Sequence, residues 1–157
     1  MKKTVVGIFL VILIWQFLII FLMLDPFSEF RGDPVIASLP EYENSECYYS
    51  DGFQDFTNYC KYYFSRNDVK KIINNHYLKP VTKGSIAELN GYFDNFEGWI
   101  EFVDYKEKYD FRRGIIDTDD YFYIENDETI EEHKYWDYNV YFFDVQSQIL
   151  YFIHSNI

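Results

Sequence analysis

Cysteine, glycine, proline and basic residues are all scarce in this chain, and each shortage closes off a class of function. Two cysteines stand among 157 residues, Cys47 and Cys60. They form neither a Cys-x-x-Cys pair nor a Cys/His cluster, so zinc-ligand and thioredoxin-like chemistry have no support. The seven glycines are scattered. None builds a Walker loop or a dinucleotide fingerprint, and there is no Gly-x-Ser-x-Gly elbow. Lysine and arginine number 14 against 26 aspartates and glutamates, for a net charge of −12. A surface of that sign repels nucleic acid and anionic lipid headgroups. It suits a basic protein partner or simple solubility. No cofactor, no metal site, no catalytic residue and no nucleic acid is expected.

Alanine and arginine are also rare, whereas Tyr and Phe each occur 16 times, with 3 Trp. An AT-rich coding sequence, as in a low-GC bacterium, produces this bias, and core packing uses it.

One stretch carries no charge at all. Val5 to Leu24 is a run of 20 residues, interrupted only by Gly7, Trp15 and Gln16. As a helix it spans about 30 Å, the thickness of a bilayer's hydrocarbon core. Val5, Leu10, Leu13, Phe17, Ile20 and Leu24 are expected to face lipid as a membrane anchor. Lys2 and Lys3 precede the run, and Asp25, Glu29 and Asp33 follow it with Arg31 as the lone nearby base. The positive-inside rule keeps the N-terminus cytoplasmic and sends the rest across. A cleaved signal peptide is the rival reading. Its apolar region would be shorter and followed closely by small residues, whereas Asp25-Pro26-Phe27 comes next.

Residues 25–46 read as an acidic linker broken by Pro26, Pro34 and Pro40, and 47–157 as one extracytoplasmic domain. Outside the cytoplasm Cys47 and Cys60 could close a disulfide, a gain of about 3 kcal/mol in the chain-entropy model. The alternative leaves Cys60 as a small apolar residue on a helix face.

Spacing predicts three helices. Phe53, Phe56, Cys60, Tyr63 and Phe64 recur at helical intervals; Val69, Ile72, Ile73 and Tyr77 form a stripe behind Asn67 as cap. A third helix is expected from Ser85, with Glu88 completing a capping box and Ile86, Leu89, Phe93, Phe96 and Ile100 on one face, ending near Trp99. The period then drops to two. Strands are expected over Tyr109–Ile115, Tyr121–Glu125, Tyr138–Val145 and Gln148–His154, the last two around a turn at Gln146-Ser147. The expected fold class is therefore α+β: an N-terminal transmembrane helix, then about three helices packed on a C-terminal antiparallel β-meander.

Three acidic or basic features carry potential chemistry. Asp117, Asp119 and Asp120 read as a solvated turn, since Tyr121 and Phe122 stand where a calcium loop needs an oxygen ligand and a glycine. Asp94, Glu97 and Glu101 read as a polar helix face rather than an acid/base pair. His76 reads as packed or solvated, His133 sits in a charged loop with Glu131, Glu132 and Lys134, and His154 ends the last strand; nothing points to a nucleophile triad. The expected function is a membrane-anchored, non-catalytic domain that binds a protein partner, as an immunity or envelope accessory factor does. The alternatives are glycan binding by exposed sheet aromatics and, behind it, a carboxylate glycan hydrolase.

Overall fold

The computed structural model of the protein describes residues 32–50, 56–126 and 134–156. The chain divides into two compact units, Met1–Ala37 and Ser38–Ile157. The described part of the first is one helical turn, α1 (Pro34–Ala37). Asp33 Oδ1 accepts the N–H groups of Val35 and Ile36 at 2.9 and 3.0 Å. Pro34 then sits at the first helical position, where its missing N–H costs nothing. The anchor Val5–Leu24, with Val5, Leu10, Leu13, Phe17, Ile20 and Leu24, lies outside the described residues. Among the described residues no helix is long and apolar enough to cross a membrane.

The second unit is built on one antiparallel sheet. In chain order its elements are β1 (Asn44–Tyr49), β2 (Phe56–Tyr63), α2 (Val69–Ile73), β3 (Lys79–Pro80), α3 (Lys83–Ile100), β4 (Tyr121–Asn126), β5 (Asp137–Asp144) and β6 (Ile149–Asn156). The six strands lie in the order β1-β2-β6-β5-β4-β3.

The expected α+β arrangement, about three helices packed on a C-terminal meander, is overturned by this topology. Of the stretch read as a first helix, Phe53 to Phe64, Phe53 lies outside the described residues and Phe56–Tyr63 form β2, second in the sheet and paired along its length with β6. Its burial pattern shows why: Thr57 through Tyr62 are all buried. A strand covered on both faces buries consecutive residues rather than every second one, so no period of two survives. The helical spacing of its rings is a coincidence of that density. Asn44–Glu46, read as the end of the linker, open β1. The second helix shrinks to the five residues of α2, after which Pro80 enters β3. The alternation of Tyr109–Ile115 is not a strand; the segment is irregular, with a 3₁₀ turn at Lys106–Lys108 before it and another at Arg113–Ile115 within it.

The third helix is real and starts one turn earlier. Thr82 is its cap: its hydroxyl accepts the Ser85 N–H at 3.2 Å, and Ser85 Oγ accepts the Thr82 N–H at 2.8 Å. The capping box thus closes on Ser85, not Glu88. β5 and β6 fall within a residue or two of the strands expected there. Asp144 shapes their turn, its Oδ1 accepting Gln146 N–H at 2.8 Å and Ser147 N–H at 3.1 Å.

Register sorts the side chains. Tyr48, Tyr59, Ile153, Val140 and Ile124 stand directly opposite one another across five strands. They face α3, whose Leu89, Tyr92, Phe93, Phe96 and Ile100 complete the core. On the opposite face the matching row is Cys47, Cys60, Phe152, Tyr141 and Tyr123. Cys60, Tyr141 and Phe152 are buried there too. Each fully covered ring of this size contributes about 1.5–3 kcal/mol.

Candidate functional site

The chain from Ile100 to Arg113 is held at several points and open between them. α3 ends without a glycine, and the backbone turns on Phe102 N–H to Trp99 O at 3.0 Å and Lys108 N–H to Tyr105 O at 2.7 Å. Tyr105 is buried; its hydroxyl donates to Thr57 Oγ1 at 2.9 Å and its ring lies 6.1 Å from that of Tyr48. Burial pushes its phenol up to about 12. Phe111 is driven into the core, 4.3 Å from the Phe93 ring and 4.9 Å from Tyr151.

Between these two anchors lies Asp110, tied to the sheet by Tyr59 Oη at 2.7 Å and Lys61 Nζ at 2.9 Å. Lys61 is almost wholly buried on β2 and also meets Glu46 of β1 at 2.9 Å. Burial alone would lower the Lys61 ammonium; hydrogen bonds to Asp110 and Glu46 outweigh it and raise it. Burial alone would raise the Asp110 carboxyl; the bonds from Tyr59 and Lys61 hold it below the usual range. Glu46 is lowered, chiefly by Lys61 and then by the Tyr63 hydroxyl at 3.0 Å. Sequence reading missed this cluster. Its one signal was an isolated lysine inside an aromatic strand.

What these anchors leave outside is the corner of the turn. Phe102 is 81% exposed and Trp99 39%, with ring centroids 6.4 Å apart and planes at 58°. Glu101, Asp104, Lys106, Glu107 and Lys108 are exposed around them. Beside the corner a cleft of about 420 Å³ is lined by Glu97, Glu101, Lys106, Glu107, Tyr109 and Arg112, among others.

The residues singled out in the sequence fall as follows. Cys47 and Cys60 are joined by a disulfide across β1 and β2. Asp94 and Glu97 both bind the Arg113 guanidinium, and Glu97 also takes the Tyr109 hydroxyl at 3.0 Å. Glu101 lies 3.7 Å from Lys106. Arg113 is raised, first by its bonds to Glu97. Asp94 and Glu97 are thus held by a guanidinium, and Glu101 faces an ammonium. Asp120 is not part of a solvated turn. It is 2% exposed and accepts Asp117 N–H and Val145 N–H, each at 3.0 Å. Burial pushes its carboxyl up to about 6, with the Asp117 and Asp144 charges adding and the two N–H bonds opposing. Among the described residues no group of three or more His, Cys, Asp and Glu could hold a metal ion. His76 packs on Tyr77, and His154 Nδ1 lies 2.8 Å from Asn139 Oδ1, which in turn belongs to a row with Glu125. His133 lies outside the described residues.

No protein-family model matches this chain, and no curated protein or solved structure matches it either.

Proposed function

We propose that the protein is a membrane-tethered, non-catalytic domain that binds a basic protein partner outside the cytoplasm, through the corner formed by Trp99 and Phe102. The observation that carries this reading is the exposure of Phe102, 81%, on a turn whose neighbours Tyr105 and Phe111 are buried. Leaving a phenylalanine in water forgoes about 1.5–3 kcal/mol of burial. Protein-binding surfaces concentrate their energy in such aromatic anchors ringed by polar groups. The chain's net charge of −12 favours a basic partner over an anionic membrane surface.

Two further features support the reading. A run of apolar residues from Val5 to Leu24 provides a tether with its bases on the N-terminal side. The Cys47–Cys60 disulfide fits an oxidising compartment. An immunity or envelope accessory role lies within this class. The protein-partner reading is favoured over the glycan one by the burial of Tyr141, Phe142, Phe143 and Phe152 and by the 58° inclination of Trp99 to Phe102.

The test is recovery of partner from detergent-solubilised membranes. A partner held by the wild type is expected to be lost on Phe102→Ala and weakened by salt. Equal recovery by wild type and Phe102→Ala would remove the basis of the assignment. A reporter active only in the cytoplasm when fused after Ile157 would overturn the orientation.

A further inference from the structure

The two edges of the sheet are built differently. β3 is two residues long, a lysine followed by a proline. Shortness, lysine and proline are the devices by which an edge strand is protected from pairing with another chain. β1, at the other edge, is six residues long and has none of them.

The ladder parity shows which groups β1 offers. Ser50 N–H donates to Thr57 O at 3.0 Å, and hydrogen-bonded pairs alternate from there. Tyr48, Glu46 and Asn44 therefore exchange bonds with β2, while Cys47 faces Cys60 at a non-hydrogen-bonded pair, with Cα atoms 4.1 Å apart. Ser45 and Cys47 consequently turn their N–H and C=O groups away from β2. No described residue bonds to these four groups. Ser45 is also exposed. Meanwhile β1 is fastened from behind, by the disulfide on one face and by the Glu46–Lys61 ion pair on the other. Among the described residues the edge is thus open at Ser45 and Cys47 and held from behind.

We infer that β1 is where the partner adds a strand, so that recognition proceeds by extension of this sheet. The inference rests on the partner-binding reading and names its mode. Main-chain hydrogen bonds to Ser45 and Cys47 would supply the pairing, about 4.8 Å from β1. Charge selects the occupant. Residues 41–49 carry Glu41, Glu43 and Glu46 and no base; Glu46 is paired with Lys61, and the exposed Glu41 and Glu43 would set acid against acid in a second copy. The occupant is an extended segment of a protein bearing lysine or arginine. Tyr48 of β1 stacks on Tyr105, three residues beyond Phe102, so a strand laid on this edge runs beside the turn that carries the exposed corner. One partner can engage both.

The test uses the full chain in detergent micelles and a synthetic peptide alternating lysine and valine. Amide exchange at Ser45 and Cys47 is expected to slow about tenfold or more on adding the peptide. The same peptide with glutamate for lysine should leave both amides unprotected. Ser45→Pro removes an outward donor while sparing the bonds to β2, and should abolish binding; Ser45→Ala should keep it. Unchanged far-ultraviolet circular dichroism establishes that the proline variant is folded. Binding that leaves the two amides unprotected, or that survives Ser45→Pro, overturns strand addition. If such binding still falls on Phe102→Ala, the partner surface stands and only its mode is wrong. No binding by the lysine peptide, or protection that appears with protein concentration alone, also overturns the inference, the latter in favour of a second copy.

Discussion

Lys61 Nζ lies 2.9 Å from Asp110 Oδ2, bridging 49 residues of chain and fixing the 101–113 segment to the sheet. The same ammonium reaches Glu46 on β1, so one buried charge ties together an edge strand, the strand beside it and the turn that carries Phe102. Removing it should cost more than a surface ion pair and less than a fully enclosed one. The Asp110 and Glu46 side chains are 58% and 38% exposed and can rehydrate, whereas Lys61 is 8% exposed. Lys61→Met is expected to destabilise the domain by about 1–3 kcal/mol, after discounting for solvent screening. Urea denaturation checks it; an unchanged midpoint would mean that the cluster contributes nothing net.

Acid should act on the fold in two opposite ways. Asp110 and Glu46 have folded values below their unfolded ones, so the stability they contribute is present above about pH 4 and is lost as the pH falls through the lowered values. Asp120 is the reverse case. Its folded value of about 6 lies above the unfolded one, so its contribution is greatest below about pH 4 and falls as the pH rises towards 6. Asp120→Asn should therefore flatten the stability profile between about pH 4 and 6, by up to about 2 kcal/mol. Denaturation midpoints across that range give the comparison, and parallel wild-type and variant profiles would contradict it.

Reducing the disulfide frees a crosslink spanning 13 positions. A loss of about 3 kcal/mol is expected from the chain-entropy account. Because Cys47 and Cys60 join an edge strand to its neighbour, amide exchange should rise first along β1. Denaturation with and without reductant measures the first effect and exchange mass spectrometry the second. A uniform rise over all strands would show that β1 does not loosen on its own.

Gln148 has φ of 59°, the left-handed region, at the end of the β5–β6 turn. A side chain there costs about 1 kcal/mol relative to glycine. Phe64 N–H donates to the Gln148 carbonyl at 3.0 Å, a bond that glycine keeps. Gln148→Gly should thus raise the stability by about 0.5–1 kcal/mol, seen as a higher melting temperature. A lower one would show that the Gln148 Nε2 bond to Gln146 O, 2.7 Å, matters more than the backbone strain.

Legibility followed the number of faces a segment buries. α3 has one buried face, so Leu89, Phe93, Phe96 and Ile100 repeat at helical spacing and the helix is readable. Its cap was misplaced by a turn because Ser85 belongs to the capping box from either reading, as donor at Thr82 or as cap to Glu88. Phe111 alternates with polar neighbours as strand residues do, but its burial comes from Phe93, Phe142 and Tyr151, on other elements. Nothing adjacent in sequence announces that. The exposed corner was hidden for the opposite reason: Trp99 and Phe102 look like any other rings in an aromatic chain until the fold shows which ones lack cover.

By itself the sequence determined what depends on local order: the charge-free run at Val5–Leu24, the acidity of all that follows, the amphipathic α3 and the β5–β6 hairpin, whose two arms adjoin. Long-range packing alone makes Phe56–Tyr63 a strand, brings Lys61 to Asp110 and bonds Cys47 to Cys60. The reason is physical. β2 is stabilised by β6, at the far end of the chain, and pairing across such a separation leaves no period in the residues themselves when both faces are covered.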